Sequence, residues 1–287
     1  MTTILIDANN LLFRYGYALK AMRTTDGQYT GAVYGVLQCM LRLKRRYPDA
    51  FFVVVWDGEG PTWRHELFPA YKAGRQHDDF KAKVIEQRAI LEKIVALIGV
   101  PSVRIQGYEA DDVIGTLARW ARDEHPVIVS GDKDFLQLLR WGVTVISDTK
   151  TLKPETARSV QEKFGCGPAN LLKVRTVAGD ASDGIPGPVE RVGTVRAAKE
   201  IEAHAQEYDF MRDDPPECCP ETWRAVWGDL MRNYKLMRIR RQLDLKCKDV
   251  FRERPVNYGG LCVTLGRLEL NTLFEDRFAL ATLQKAK

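Results

Sequence analysis

The sequence lacks the features that mark membrane-spanning and exported proteins. No apolar run approaches the ~20 consecutive residues that a membrane-spanning helix needs, so no membrane partner is expected. The N-terminus has neither the basic region nor the small-residue cleavage site of a signal peptide. The six cysteines include no CxxC pair and no spacing typical of a disulfide framework. Reduced thiols in a cytoplasmic protein are the simplest interpretation.

The sequence also lacks the glycine-rich motifs that bind nucleotide phosphates. Residues 3–6 are apolar and predict a buried strand that ends at Asp7. A Rossmann nucleotide-binding fold would carry GxGxxG after this strand, and neither that motif nor a P-loop is present. A phosphatase with an aspartate nucleophile would need a second aspartate at position 9, which is Asn9 here. Both of these enzyme classes are therefore disfavoured.

What is present is the composition of an ordinary globular protein. The 287 residues are 45% hydrophobic and 28% charged, which suffices for one large domain or two smaller ones. The net charge of +5 and the pI of about 8.8 permit a polyanionic partner without requiring one.

Carboxylates follow the ends of four predicted strands. The pairs are residues 3–6 with Asp7, residues 51–56 with Asp57, residues 127–130 with Asp132 and Asp134, and residues 103–105 with Glu109, Asp111 and Asp112. Residues 143–146 predict a further strand at the edge of the sheet. Because helix-length segments separate the strands, we expect parallel βαβ packing, in which ligands bind at the carboxyl ends of the strands. All of these carboxylates should then lie at one end of one sheet.

Three of these carboxylates, Glu109, Asp111 and Asp112, begin a predicted helix. Acidic residues in a first turn also complement the helix dipole, so one alone would need no function. Three within four positions repel one another unless cations neutralise them. A cluster of oxygen ligands without histidine or cysteine suits Mg²⁺ or Mn²⁺. Two such ions about 3.5–4 Å apart commonly serve to cleave phosphodiesters.

Residues 61–75 combine aromatic with basic side chains. This composition suits contacts to phosphates and unstacked bases, although a solvated loop would have the same composition. Residues 78–98 then predict a long mixed-charge helix with one apolar side that packing explains. That side consists of Val84, Ile85, Leu91, Ile94, Val95 and Ile98.

Six short segments follow one another in the order of a known family's motifs. They are residues 7–10, 55–58, 64–75, 109–112, 131–134 and 178–187. Together they resemble the 5′→3′ exonuclease/flap endonuclease family, which includes the N-terminal domain of bacterial DNA polymerase I and stand-alone bacteriophage 5′ nucleases. The resemblance covers about residues 3–200.

The resemblance implies an α/β fold of PIN-like or Rossmann-like type, with a mostly parallel central sheet flanked by helices. It implies a nuclease core at residues 1–165, with a helical arch at about 60–98 through which single-stranded DNA passes. It also implies a helical DNA-binding region at 166–287, with a helix–three-turn–helix motif at about 174–203.

The resemblance further implies two Mg²⁺ ions, for which Mn²⁺ is expected to substitute. The residues matching the first metal site are Asp7, Asp57, Glu109, Asp112 and Asp132, and those matching the second are Asp134, Asp180 and Asp183. Asp111 could serve either ion, directly or through water.

Basic residues complete the site that the resemblance implies. Lys72 and Arg75 match a catalytic pair near the scissile phosphate. The DNA contacts expected are Arg64, Tyr71, Lys72 and Arg75 in the arch, and Gly187, Arg191, Gly193 and Arg196 in the hairpin. The family's hairpin, which binds K⁺, reads Gly-Val-x-Gly-Ile-Gly-x-Lys-Thr-Ala. This chain carries one extra residue there, with Arg191 in place of a glycine and Val195 in place of the lysine. The sequence therefore leaves open whether the hairpin binds K⁺ and how strongly it binds duplex DNA.

Residues 222–243 predict one amphipathic helix with an apolar stripe in the core. The stripe consists of Trp223, Trp227, Leu230, Tyr234 and Met237. The basic side of this helix fits either a DNA track or a solvated face, and residues 255–287 show no pattern that we can assign.

We therefore predict a Mg²⁺-dependent, structure-specific 5′ nuclease that acts on 5′ ends and 5′ flaps of DNA. We expect a monomer, a stand-alone nuclease without a fused polymerase, in the cytoplasm of a bacterium or of a virus-infected host. The alternatives are a PIN-type ribonuclease and a DNA-binding paralogue with reduced catalytic activity.

Overall fold

A computed structural model describes residues 2–74, 78–252 and 254–284. Its centre is a sheet of five strands: β1 (Thr3–Asp7), β2 (Phe51–Trp56), β3 (Ser102–Arg104), β4 (Val127–Val129) and β5 (Thr144–Ile146). The strand order is β3-β2-β1-β4-β5, and every neighbouring pair is parallel. The predicted parallel sheet with β5 at its edge is confirmed.

Helices cover both faces of this sheet. They are α1 (Ala8–Ala18), α2 (Gly31–Arg46), α3 (Trp63–Leu67), α4 (Asp79–Leu97), α5 (Ala110–Trp120), α6 (Ala157–Phe164), α7 (Leu171–Ala178), α8 (Thr194–Ala203), α9 (Glu221–Arg224), α10 (Trp227–Met237), α11 (Cys247–Val250), α12 (Tyr258–Arg267), α13 (Asn271–Glu275) and α14 (Arg277–Ala281). Short 3₁₀ helices lie at Arg122–Glu124, Lys133–Trp141 and Ala181–Asp183. No described helix is long and apolar enough to cross a membrane.

The alternation of side chains along β1 divides the core into two layers. Ile4 and Ile6 pack with α1, α2, α4 and the C-terminal helices, whereas Leu5 packs with α5, the 3₁₀ helix Lys133–Trp141 and the helices from α6 to α10. Because successive residues of a strand face opposite sides of the sheet, a fully apolar strand is needed where both faces are covered.

The structure changes the expectation for the arch. From Val84 onward, α4 packs in the first core layer, and Val84 lies so close to α1 that a Cβ on Gly16 would meet its methyl group at 2.6 Å. The described part of the predicted arch beyond Val84 is therefore a layer of the body rather than a free-standing element. Ile85, predicted on the apolar side, is 45% exposed.

The predicted helix at 222–243 is two helices, α9 and α10, and it ends at Met237. The chain then runs extended beside α5, where backbone N–H groups donate to side chains instead of continuing a helix. The amide of Ile239 donates to Gln137 at 3.2 Å, that of Arg240 to Asp112 at 2.8 Å and that of Leu243 to Thr116 at 3.2 Å. Tertiary hydrogen bonds thus override the helical pattern.

The C-terminal residues that the sequence left unassigned complete the first core layer. Leu261, Leu265, Leu273 and Leu280 share a hydrophobic cluster with the β1 and β2 side chains. Helices α12 to α14 therefore pack on the α/β core predicted for residues 1–165. The sequence-based division had placed them in the DNA-binding region at 166–287.

Candidate functional site

A pocket of about 870 Å³ opens at the carboxyl edge of the sheet. Its lining includes seven of the nine predicted metal-binding carboxylates: Asp7, Asp57, Glu109, Asp111, Asp132, Asp134 and Asp183. Lys72, Tyr71, Asn9 and Arg14 line the same pocket. The parallel sheet therefore brings the strand-end carboxylates together, as the sequence predicts.

The N-termini of helices hold several of these carboxylates in place. Asp7 ends β1, precedes α1 and accepts hydrogen bonds from the Asn10 amide at 3.1 Å and the Ser130 hydroxyl at 2.7 Å. Asp132 likewise precedes the 3₁₀ helix Lys133–Trp141 and accepts from the Asp134 amide at 2.9 Å. The partial positive charge of these helix ends offsets only part of the carboxylate charge.

The pKa values of the pocket carboxylates reflect this concentration of negative charge. Burial, with repulsion from Asp57, raises the pKa of Asp7 to about 7. Burial also raises the pKa of Asp132 and holds that of Asp111 well above its usual range. Burial therefore favours the protonated form of these three carboxyl groups, whereas Lys72 and Arg64 outweigh burial at Glu109 and lower its pKa.

Arg64 is buried, at 1% exposure, against the three carboxylates at the start of α5. Its guanidinium lies 3.0 Å from Glu109, 2.8 Å from Asp111 and 3.0 Å from Asp112, and its Nε donates to the Leu236 carbonyl at 2.8 Å. These ion pairs keep the pKa of Arg64 high. The predicted DNA contact of Arg64 stays a prediction, and in this structure its donors are occupied inside the protein.

Asp112 also lies inside the protein rather than in the pocket, with 0% exposure. Its carboxylate accepts from the Trp63 indole at 2.7 Å and the Arg240 amide at 2.8 Å, besides both Arg64 nitrogens. Asp112 as a metal ligand stays a prediction, and in this structure four donors occupy its oxygens. Asp111, whose role the sequence left open, lines the pocket instead.

Tyr71 and Lys72 lie against the carboxylates. The Tyr71 hydroxyl donates to Glu109 at 2.9 Å and contacts Asp183 at 3.3 Å, and its ring is buried. Burial raises the pKa of Tyr71, so the hydroxyl stays protonated. Its predicted contact with DNA stays a prediction, and in this structure the hydroxyl contacts the carboxylates.

Lys72 has a left-handed backbone (φ 57°), and its amide donates to the Asp183 carbonyl at 2.8 Å. Its ammonium pairs with Glu109 and lies 4.0 Å from Asp183. A lysine held in this strained conformation inside the pocket fits a functional role. Arg75, its predicted catalytic partner, lies outside the described residues.

Asp134, Asp180 and Asp183 form a second cluster, in which one carboxylate oxygen of each lies within 4.8 Å of the others. Buried Arg175 pairs with Asp134 and Asp180, and Lys133 lies 3.1 Å from Asp180. Arg175 was not predicted from the sequence. Its signal was weak, because α7 also carries Lys173 and Thr176 among its apolar residues. A buried guanidinium requires carboxylate partners.

The hairpin between α7 and α8 begins with Asp180, whose backbone pairs with Ile185. Arg191, in place of the family's glycine, has φ 58°, and Arg196 donates to its carbonyl at 3.0 Å. Gly187 packs so closely that a Cβ would lie 2.7 Å from the Ala178 carbonyl oxygen. Gly193 precedes α8 and is exposed. The predicted DNA contacts of this hairpin stay predictions.

The residues of the pocket fit hard divalent cations. The ligands that the pocket offers are carboxylate oxygens together with the amide oxygen of Asn9. Among the described residues, this Asn9 Oδ1 atom is buried without a hydrogen-bond partner. Oxygen donors of this kind suit Mg²⁺ and Mn²⁺. Lys72 and Arg175 supply cationic charge to the same carboxylates.

Comparison with known proteins relates the chain to polymerase-associated nucleases. A protein-family model described as "5'-3' exonuclease, N-terminal resolvase-like domain" matches residues 2–165. DNA polymerase I of Pseudomonas aeruginosa is 43% identical over 188 residues, covering 64% of this chain and 20% of that protein. The thermostable DNA polymerase I of Thermus filiformis is 34% identical over 281 residues, covering 95% of this chain and 33% of that protein. The chain thus spans between a fifth and a third of the length of these relatives.

Solved structures show the same fold at lower identity. The flap endonuclease of bacteriophage T5, in a complex with DNA and metal ions, has a TM-score of 0.67 and 20% identity, covering 98% of this chain and 99% of that one. Flap endonuclease-1 of Methanococcus jannaschii has a TM-score of 0.64 and 15% identity, covering 98% and 92%.

Proposed function

The chain belongs to the 5′-3′ exonuclease family, a family of nucleases, and from this premise we propose that it hydrolyses DNA phosphodiesters with two divalent cations. One observation carries the proposal: seven carboxylates from separate strand ends and from the hairpin line one pocket together with a lysine. Such a concentration of charge would be costly unless cations neutralise it when the enzyme works.

Two groups of residues would hold the cations. The first group is Asp7, Asp57, Glu109, Asp111 and Asp132, and the second is Asp134, Asp180 and Asp183. When bound, Mg²⁺ or Mn²⁺ would supply an activated water and charge stabilisation at the attacked phosphate. Arg175 and Lys133 hold the second group together in the absence of cations. The same contacts would position the carboxylates of this group for the second cation.

Lys72 would stabilise the negative charge that develops on the attacked phosphate. Its backbone amide donates to the Asp183 carbonyl, and its ammonium pairs with Glu109. If a cation neutralised Glu109, the ammonium would be available to the phosphate. A group that acts on charge in the transition state contributes to turnover more than to binding.

We therefore expect Lys72→Ala to lower the turnover of a 5′-flap DNA by about 10²-fold while flap affinity changes little. Single-turnover rates and binding titrations measure the two quantities separately. Lys83→Ala is the matched control, since Lys83 is an exposed lysine paired with Glu86. A Lys72→Ala enzyme that loses affinity alone would show that the assigned role is wrong.

The proposed substrate is DNA with 5′ single-stranded flaps or 5′ ends. Support comes from the family, from the T5 flap endonuclease solved with DNA and metal ions, and from the two helices α7 and α8 that flank an exposed hairpin turn. We propose that the protein acts as a monomer in the cytoplasm, and sedimentation with and without flap DNA would test the first point.

The experiment that tests the proposed function compares a 5′-flap DNA with a matched RNA, each with Mg²⁺ and with EDTA. Cleavage of the DNA flap that requires Mg²⁺ supports the proposal. Cleavage of RNA alone would instead favour a PIN-type ribonuclease. Binding of the flap without cleavage of either strand would identify a DNA-binding paralogue.

A further inference from the structure

A further cluster of side chains that could bind a metal lies outside the pocket, where α8 ends. It is separate from the cluster of Asp134, Asp180 and Asp183. We propose that His204, Glu207 and Cys218 form a binding site for Zn²⁺ or a chemically similar transition-metal cation. His204 directly follows α8, Glu207 lies three residues later, and Cys218 returns from the loop that precedes α9. None of the three lines the carboxylate pocket, so this inference stands apart from the proposed function.

The distances among these groups suit one small cation. One ligand atom of each residue lies within 4.8 Å of the other two. Nδ1 of His204 lies 3.7 Å from Oε1 of Glu207, which is longer than a hydrogen bond. Zinc bonds of about 2.0–2.3 Å place tetrahedral ligands about 3.3–3.8 Å apart, so this separation matches one edge of a zinc tetrahedron.

The donor set distinguishes this site from the pocket. An imidazole, a thiolate and a carboxylate together prefer Zn²⁺ over Mg²⁺, whereas the pocket offers carboxylate oxygens. Three protein ligands leave a fourth position for water. Neighbouring Cys219 does not contribute, because its thiol points to the Pro220 carbonyl at 3.7 Å.

Cys218 and Glu207 already contact each other without a metal. Their side chains share a hydrogen bond, which holds the thiol beside the carboxylate. A bound cation would replace the thiol proton, so metal uptake should release a proton from Cys218.

A metal at this site would cross-link two parts of the chain. It would tie the end of α8, the second helix of the hairpin, to the proline-containing loop at 209–220. Because cross-linking such a loop stabilises the folded state, metal binding should raise the melting temperature.

The test is a titration of the full-length protein with Co²⁺ and then Zn²⁺, in excess Mg²⁺ to occupy the pocket. The expected result is one equivalent of Co²⁺ with a near-ultraviolet thiolate-to-cobalt band, displaced by Zn²⁺. Cys218→Ser should abolish the band and weaken Zn²⁺ binding by at least about 100-fold, since even outer residues of metal sites contribute about 10–100-fold. His204→Ala should weaken binding in the same direction.

Cys262→Ser is the matched control, because Cys262 is also a partly buried free cysteine but lies on α12. It should keep the band, the stoichiometry and the increase in melting temperature with Zn²⁺. The proposal is overturned if the wild-type protein shows no thiolate band, or if Cys218→Ser binds Zn²⁺ as tightly as Cys262→Ser. The cobalt band and the Zn²⁺ affinity are both measured without DNA cleavage.

Discussion

Two adjacent aspartates at the start of α5 have different surroundings. Successive helical residues point about 100° apart, so Asp111 can face the pocket while Asp112 faces the interior. The sequence could predict that carboxylates gather here, because they follow strand ends. It could not say which one meets Arg64, because that contact joins residues 48 positions apart.

The roles of these neighbours can be separated by substitution. Asp112→Asn should lower the free energy of unfolding by about 3 kcal/mol, because it leaves Arg64 buried with less negative charge. Asp111→Asn also removes a partner of Arg64, but it relieves the repulsion from Asp112 and Glu109, so it should destabilise less than Asp112→Asn and slow cleavage strongly. Urea unfolding and flap cleavage of both variants measure this. Equal stability of the two variants would contradict the assignment of Asp112 as a buried ion-pair partner.

Asp7 should make the stability of the metal-free protein depend on pH. Its folded-state pKa of about 7 lies above the ordinary aspartate pKa of 3.8, so the folded protein binds more protons between these values. Stability present at low pH is then lost as the pH rises through this window, by at most about 1.4 kcal/mol per pH unit. Above pH 7 this loss of stability does not increase further, because Asp7 is ionised in both the folded and the unfolded state.

Urea unfolding of the wild type and of Asp7→Asn in EDTA, at pH 5 and pH 7.5, isolates this contribution. Relative to Asp7→Asn, the wild type should lose stability between the two pH values, and Mg²⁺ should restore most of the loss at pH 7.5. If the stability difference between the wild type and Asp7→Asn does not change with pH, the pKa of Asp7 is not raised in the metal-free protein.

At the scale of elements, the strands were the most predictable part. Residues 4–6 of β1 and residues 51–56 of β2 are all apolar because both faces are covered, and this pattern can be read from the sequence. The end of α10 could not be predicted, since side chains of α5 and of the 3₁₀ helix Lys133–Trp141 accept the following amides. Arg175 was missed because its partners lie in another element and beyond its own helix.

The hairpin stores strain at Arg191. A non-glycine residue with φ 58° costs about 1–2 kcal/mol, part of which a glycine would recover. Arg191→Gly should therefore raise the free energy of unfolding by about 1 kcal/mol. Arg191→Ala keeps the strain and serves as the control for the lost charge.

If Arg191 contacts a phosphate, both variants should reduce the salt dependence of duplex binding by about one unit of slope. Denaturant unfolding and binding titrations at several salt concentrations measure the two effects. An Arg191→Gly protein no more stable than Arg191→Ala would contradict the assignment of strain.

At the scale of the molecule, the site is completed by residues outside the matched family domain. The family model ends at residue 165, whereas Arg175, Asp180 and Asp183 come from α7 and the hairpin that follows it. Helices α12 to α14 pack on the first core layer. Their role was unpredictable because short apolar helices carry no signal of which surface they cover.

We propose that the strand-end carboxylates form a cation-dependent nuclease site, and a substitution of Asp57 tests this claim. Asp57 lines the pocket and accepts the Ala110 amide at 2.8 Å, so Asp57→Asn keeps its size and changes its charge. The measurement is the single-turnover cleavage rate of a 5′-flap DNA across a range of Mg²⁺ concentrations, with EDTA as the zero point. We predict no cleavage in EDTA, cleavage with Mg²⁺, and a rate for Asp57→Asn lower by about 10²–10³-fold with flap binding retained. Cleavage in EDTA, or an Asp57→Asn protein that cuts as fast as the wild type at every Mg²⁺ concentration, would contradict the claim.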